Sequence, residues 1–114
     1  MSKYFGVPLT LGKVPGVPKG FDLVSHDKQV VGDAIFYTMV NGVGLPPAKF
    51  ATIAEYVWLL EKVSAKQKFI VFGNERRVLE EWLKRYGRLV SGVDFYYLHP
   101  SDAIERLQTG QHSL

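Results

Sequence analysis

The sequence predicts a small single-domain α/β fold, of two or three layers, with a mainly parallel sheet and about four helices. Residues 68–73 and 93–98 are short, almost continuous apolar runs, which is typical of strands buried on both faces. A segment with helical spacing follows each run, so the last third of the chain predicts two successive strand–helix units. Such units give neighbouring parallel strands with right-handed crossovers, which places both strands at the centre of the sheet.

Residues 1–24 are expected to supply a strand and a loop beside this centre. The strand covers about residues 3–11, and Pro8 indicates an edge or a bulge because proline cannot donate to the ladder. Prolines and glycines dominate residues 12–20, which indicates a loop, and residues 21–24 suit a short strand.

Two helices are predicted in the middle of the chain. Residues 28–41 carry apolar side chains on nearly every side of a helix, which favours the most buried position in the domain. A second helix runs from Pro46 to about Ser64 and has one broad apolar face. Trp58 falls outside that face.

The remaining elements follow the two central strands. A helix over residues 75–87 has an inward apolar stripe and ends at Gly87. A short helix is predicted over residues 100–109, opened by a polar cap and a proline. Residues 110–114 are expected to be a frayed tail.

The composition limits the classes of protein. The 114 residues suit one domain, 1–114, and the absence of cysteine excludes disulfides and thiolate metal sites. No segment has the length of apolar sequence that a membrane span needs, and the amino-terminal residues lack the apolar run of a signal peptide. We therefore expect a cytoplasmic protein with no membrane partner.

Positive charge is concentrated in one part of the chain. The net charge is +3 and the pI is about 9.2. Residues 62–88 contain eight of the fourteen lysines and arginines but three of the eleven acidic residues. This excess indicates an anionic partner, although a solvated helix face gives the same count.

The candidate site lies where the two central strands end. Asn74 and His99 follow these strands directly, and parallel neighbours end at the same edge, where ligands of open α/β sheets gather. Each residue would begin a helix, whose free backbone N–H groups attract anions. Arg76, Arg77 and Ser101 fall in the first helical turns. These five residues predict a site for a phosphate-bearing ligand, either a nucleotide or a nucleic acid.

Each of these residues also has a purely structural interpretation. Arg76 can pair with Glu80, and Arg77 with Glu81, because residues four apart are neighbours on a helix. His99 is a candidate acid or base for catalysis on a phosphate or sugar ester, but the sequence places no second catalytic group beside it. As a helix cap it would have no chemical role.

The sequence predicts neither a metal site nor a cofactor. His26, His99 and His112 are far apart, and the chain has no thiol to support them. No glycine-rich dinucleotide fingerprint and no Walker loop is present.

Trp58 supports a second hypothesis, that of a small inhibitor or adaptor that binds another protein. A tryptophan on the polar side of a helix can anchor a partner or a second copy of the chain, which would give a homodimer. The alternative is that the amino-terminal loop folds over it and makes it part of the core.

The segment KFIVFGNERRVLEEWLKRYG, residues 68–87, resembles the strand and helix that open the second RecA-like domain of helicases. The similarity covers twenty residues, and the chain is too short for the remaining motifs of that domain. It therefore assigns no family and no residue roles.

Overall fold

A mixed six-stranded sheet forms the centre of the protein in a computed structural model, which describes residues 1–39 and 47–107. The strands are β1 Leu9–Lys13, β2 Gly20–Ser25, β3 Val30–Ile35, β4 Gln67–Phe72, β5 Asp94–Leu98 and β6 Ile104–Leu107. The helices are α1 Ser2–Phe5, α2 Pro47–Glu61 and α3 Arg76–Tyr86, and a 3₁₀ turn spans Gly87–Leu89.

The strand order in the sheet follows the chain from β1 to β6. Strands β1, β2 and β3 form an antiparallel meander, and β6 pairs antiparallel with β5. Only β3, β4 and β5 are parallel, and α2 and α3 connect them. The sheet is therefore mixed rather than mainly parallel, and the described residues contain three α-helices rather than about four.

The two strands predicted at the centre of the sheet are confirmed as parallel neighbours, but only β4 is central: it pairs with β3 in the middle of the sheet, and β5 lies next to the edge strand β6. The strands expected at 68–73 and 93–98 correspond to β4 and β5, which are parallel neighbours at the positions Phe69↔Asp94 to Phe72↔Tyr97. The helices expected after Pro46 and over 75–87 correspond to α2 and α3. The strand–helix unit of residues 67–86 was readable because its buried strand is short and its helix is strongly amphipathic.

The helix predicted over residues 28–41 is wrong, because residues 30–35 form the strand β3. Its six residues pair in parallel with β4 from Val30↔Gln67 to Ile35↔Phe72. A strand packed on both faces has apolar side chains on both sides and loses the alternation that usually identifies it. The same composition suits a helix that is apolar all round, so periodicity alone could not separate the two. Residues 40–46 lie outside the described part of the chain.

The helix predicted over residues 100–109 is also wrong. After β5 the chain turns at once, with the Asp102 N–H donating to the His99 carbonyl oxygen (2.8 Å), and returns as β6. Asp102 adopts a left-handed conformation with φ 70°, which short acidic side chains tolerate in turns. A proline followed by serine and aspartate opens turns as readily as helices, which explains the error. The tail predicted at 110–114 lies outside the described residues.

The amino-terminal strand is shorter than predicted and lies elsewhere. Residues 2–5 form the single turn α1, and only residues 9–13 form β1. This strand occupies the outer edge of the sheet next to β2, and not a position beside the central pair. The short strand expected at 21–24 is confirmed as β2.

The two faces of the sheet are covered differently. Helices α2 and α3 pack on one face and enclose the main core, whose largest side chains are Trp82, Phe21, Phe72 and Phe95. On the other face α1 brings Phe5 onto Phe69 and Tyr96, with the Phe5 and Phe69 ring centroids 4.9 Å apart. The two long helices therefore lie on one face of the sheet, and the single turn α1 covers part of the other.

A close packing contact between β3 and β4 gives the first prediction. A Cβ added at Gly32 would lie 2.5 Å from the ring of Phe69, which is buried and cannot move away. We expect Gly32→Ala to lower the free energy of unfolding by about 1–3 kcal/mol, measured by urea denaturation. The control is Gly20→Ala, whose added Cβ has no neighbour closer than 4.0 Å and should change stability by less than about 0.5 kcal/mol. Equal stabilities for the two variants would contradict this packing.

Candidate functional site

Asn74 and His99 lie at the same end of the sheet, beyond the carboxyl ends of its strands, because each follows one of two parallel neighbouring strands. Asn74 does not cap α3: it has a left-handed backbone (φ 65°), and Glu75 occupies the N-cap position. The Asn74 side-chain amide donates to the Phe36 carbonyl oxygen (2.6 Å). Its visible role is therefore to tie the end of β3 to the turn between β4 and α3.

Glu75 extends this tie across the same edge. Its Oε1 atom accepts a hydrogen bond from the Met39 backbone N–H (3.0 Å), and its side chain makes no capping hydrogen bond to its own helix. Helix α3 therefore begins without a side-chain cap and without an acidic residue in its first turn. The start of α3 retains the positive end of its dipole.

Arg76 is the centre of a cluster of charged side chains at this edge, which we call the rim cluster: Arg76, Glu80, His99 and Glu105. The Arg76 guanidinium contacts the Glu80 carboxylate and donates to both oxygens of Glu105 (2.6 and 3.2 Å). His99 Nε2 lies 3.0 Å from Glu105 Oε1. The hydrogen bond from Arg76, assisted by that from His99, lowers the pKa of Glu105, and Glu105 raises the pKa of Arg76.

The carboxylates of Glu80 and Glu105 neutralise the positive charge of Arg76, which was expected to attract an anion. Apart from His99, the rim cluster contains one positive and two negative charges. A phosphate that binds Arg76 must therefore displace a carboxylate. Of the other predicted ligand residues, Ser101 is exposed in the turn beside His99, and Arg77 is exposed on α3.

Sequence reasoning did not find Glu105, the residue that joins Arg76 to His99. It reaches the rim only because β6 folds back on β5 with the register Tyr97↔Glu105. The turn-forming residues 100–102 are compatible with a hairpin, but residues 104–107 do not alternate apolar and polar side chains, so the sequence did not decide between a hairpin and a helix. The oriented imidazole and carboxylate are a pairing that proton transfer can use.

Trp58 borders a groove between α2 and α3, which we call the α2–α3 groove. Its volume is about 150 Å³, and its lining is mostly apolar, with Ala54, Val57, Trp58, Trp82, Tyr86, Leu89 and Val90 among its residues. Trp58 is 56% exposed and Leu89 is 70% exposed. The amino-terminal loop therefore does not enclose Trp58, which was the structural alternative.

The packing of the two helices fixes the shape of the groove. Trp82 Nε1 donates to the Phe50 carbonyl oxygen (3.3 Å), which joins α3 to the first part of α2. At the other end, Glu61 Oε2 accepts from the Ser91 backbone N–H (2.9 Å). Because both walls are held by buried residues and by these hydrogen bonds, the groove is a preformed surface.

The positive segment 62–88 does not form one face. Lys62, Lys66 and Arg88 precede β4 or β5, whereas Arg76 follows β4 at the opposite end of the strands. The cations are therefore divided between the groove end of the domain and the rim cluster. A count along the sequence could not reveal this division.

A buried ion pair between Lys19 and Asp33 is a third feature that sequence reasoning missed. The Asp33 side chain has no exposed area, and Lys19 Nζ donates to both of its oxygens (2.9 and 3.1 Å). Lys19 also lies over the rings of Phe21 and Tyr56, 4.6 and 4.4 Å from their centroids. In the sequence, the ion pair was indicated by the single aspartate in the otherwise apolar run VVGDAI. It was missed because that segment was predicted to be a helix.

Asp33 also replaces part of the ladder between β2 and β3. Its Oδ1 atom accepts from the Asp22 backbone N–H (3.1 Å), and Asp22 Oδ2 accepts from the Ala34 backbone N–H (3.0 Å). Burial raises the pKa of Asp33 above its ordinary value, and the hydrogen bonds from Lys19 and Asp22 oppose that rise.

Within residues 1–39 and 47–107 no group of three or more histidines and carboxylates is placed to hold a metal ion. In the same part of the chain, no helix combines the length and the apolar character that crossing a membrane would require.

Comparison with known proteins identifies no relative of this chain. No protein-family model matches the chain, and no curated protein or solved structure is significantly similar to it. None of these comparisons supports a family assignment from the resemblance of residues 68–87 to a helicase segment.

The buried ion pair gives the second prediction. Lys19→Met leaves the Asp33 carboxylate without its cation, and we expect a loss of about 3 kcal/mol of unfolding free energy at pH 7. An acid whose pKa is raised by folding stabilises the fold below its ordinary value of 3.8, and this stabilisation is lost as the pH rises through the folded pKa. The loss caused by Lys19→Met should therefore be smaller at pH 4 than at pH 7 in urea titrations.

The control for this prediction is the double variant Lys19→Met, Asp33→Asn. It has no buried carboxylate, so the difference between its stabilities at pH 4 and pH 7 should lack the contribution of Asp33. A single variant as stable as the wild type at both pH values would show that Lys19 does not compensate Asp33.

Proposed function

We propose that this protein acts by binding another polypeptide through the α2–α3 groove. The observation that carries the proposal is the contiguous exposure of Trp58, Tyr86 and Leu89 around an apolar recess. Single exposed apolar residues are common on protein surfaces, but a contiguous set around a recess marks an interaction site. Tryptophan and tyrosine are also the residues that most often dominate binding energy at interfaces.

The construction of the groove supports this function. Its floor contains Val57 and Trp82, which are buried, and its edges carry exposed side chains. A rigid floor with a few projecting anchors suits the insertion of an apolar side chain from a partner helix. The partner would cover Trp58 and Leu89, which are otherwise in contact with water.

This hypothesis takes precedence over phosphate binding because of the state of the rim cluster. There, Arg76 already contacts two carboxylates of its own chain. Among residues 1–39 and 47–107, the recorded ring contact of Trp58 is with Lys62, whose Nζ atom lies 5.8 Å from the centroid of the Trp58 ring. The cytoplasmic location expected from the sequence is part of this proposal.

The third prediction tests the groove directly. Tagged protein purified from its native cells should carry a stoichiometric polypeptide, either a partner or a second copy, which native mass spectrometry detects. Trp58→Ala and Leu89→Ser remove the anchors, and each should weaken this association by about 30-fold or more.

Leu11→Ser is the matched control, because Leu11 is 77% exposed on β1 and does not line the groove. It should leave the association unchanged. Equal retention of the polypeptide by all three variants, or no associated polypeptide with any of them, would refute binding through the groove.

A second candidate function is recognition of a phosphate-bearing ligand, a nucleotide or a nucleic acid, at the rim cluster. The uncapped start of α3 favours it, since the first helical turn offers backbone N–H groups and no acidic side chain. Arg76 and His99 are both more than a third exposed beside it. If the ligand reacts, His99, which contacts Glu105, is the candidate acid or base.

The fourth prediction uses Glu105 as a competitor of the ligand. If phosphate binds Arg76, Glu105→Gln should tighten binding, because it removes a carboxylate that the phosphate must displace. Arg76→Ala with Arg77→Ala should weaken binding by at least about tenfold. Affinity for labelled oligonucleotides and a nucleotide panel, measured by fluorescence polarisation, should fall steeply with salt.

The charge-matched control is Lys13→Ala with Lys28→Ala, which removes two exposed cations from β1 and from the turn between β2 and β3. It should weaken binding less than the arginine pair. If both pairs weaken binding equally, or if Glu105→Gln has no effect, the ligand does not bind at the rim cluster.

A further inference from the structure

The exposed side of α2 and the turn that follows it carry opposite charges on either side of a tryptophan, a set that we call the α2 stripe: Glu55, Trp58 and Lys62. Glu55 and Trp58 are three positions apart on one side of the helix, and Lys62 directly follows its last residue, with the Lys62 N–H donating to the Leu59 carbonyl oxygen (3.1 Å); all three residues are exposed. Trp58 in this stripe is also a wall of the α2–α3 groove. The stripe and the groove are therefore one continuous surface.

We propose that the polypeptide bound by the groove is a second copy of this chain, with the two α2 helices packed antiparallel across a two-fold axis near Trp58. This inference rests on the proposed function and names its partner. A two-fold axis at this point reverses the direction of the second helix. Glu55 lies three residues before Trp58 and Lys62 four residues after it, so each Glu55 faces the Lys62 of the other copy.

The charge pattern selects this arrangement over the parallel one. In a parallel pair each residue meets its own equivalent, so Glu55 would face Glu55 and Lys62 would face Lys62. Like charges in direct opposition are unfavourable, whereas the antiparallel pair makes two attractive contacts. The same three residues therefore favour a second copy as the partner and an antiparallel arrangement of the two helices.

The side chains of the stripe are available for such contacts. Within residues 1–39 and 47–107 neither Glu55 nor Lys62 forms an ion pair with its own chain. The neighbouring positions Ala51 and Ala54 are exposed and small, so a second helix can approach closely.

The surface also has the two shape features that contact between two copies needs. It presents projecting side chains, Trp58 and Leu89, next to a recess of about 150 Å³. An isologous contact needs a projection and a recess on the same patch, because each copy supplies both. A surface with only one of them would require a different partner.

The fifth prediction is a charge-exchange experiment on the purified protein by sedimentation equilibrium at low salt. Glu55→Lys and Lys62→Glu each create two repulsive contacts per dimer, and each should raise the dimer dissociation constant by about tenfold or more. The double variant Glu55→Lys, Lys62→Glu exchanges the charges and should return within about threefold of the wild type. Trp58→Ala should raise the dissociation constant by about 30-fold or more.

Two controls sharpen the result. Lys13→Glu reverses a charge on β1, away from the stripe, and should not change dimerisation. For direction, the chain has no native cysteine, so Glu55→Cys and Lys62→Cys can be mixed and oxidised. Antiparallel helices should give a disulfide between the two variants, whereas parallel helices would link each variant to itself and refute the arrangement.

The outcomes separate this inference from the proposed function. A wild type that stays monomeric at high concentration, or a double variant as weak as the single ones, overturns the homodimer. If such a monomer still retains a different polypeptide through Trp58 and Leu89, the proposed function stands and only its partner changes. If the groove binds no polypeptide, both the homodimer and the proposed function are refuted.

Discussion

The parallel pairing of β3, β4 and β5 is the constraint on which both candidate sites depend. Each parallel connection must cross over the sheet, and two right-handed crossovers in the same direction place α2 and α3 on one face. The groove exists because these two helices lie side by side. The rim cluster exists because β4 and β5 end at the same edge, which brings Asn74 and His99 together.

The elements that could be predicted from the sequence are those whose type follows from the pattern of residues within the segment itself. Strand β4 and helix α3 combine a short buried run with a strongly amphipathic helix, so their types and order could be predicted. Strand β3 could not, because neighbours cover it on both faces and its apolar residues have no period. Strand β6 could not, because the Pro-Ser-Asp sequence at residues 100–102 opens a turn or a helix equally well, and only pairing with β5 decides between them.

The same reasoning explains what was predictable at the sites. The shared edge of Asn74 and His99 follows from parallel strands alone, so it could be derived before the structure was known. The charge of the rim could not, because Glu105 arrives on a strand whose register is set by the β5–β6 hairpin. The position of Trp58 outside the apolar face was visible in the helical spacing of α2, but its exposure was not, because the amino-terminal loop could have covered it.

Helix α2 joins the two energetically costly features of the protein, a buried charge and an exposed tryptophan. Tyr56 faces inward and covers Lys19 above the buried Asp33, while Trp58 faces outward at the groove. Each feature costs free energy, because a buried charge loses its hydration and an exposed large apolar surface remains in contact with water. The Lys19–Tyr56 contact, together with the bond from Trp82 to the Phe50 carbonyl, holds α2 in one position on the sheet. A helix fixed on its inner side can present a rigid outer side, and rigidity is what lets an exposed tryptophan bind a partner without a large loss of conformational entropy.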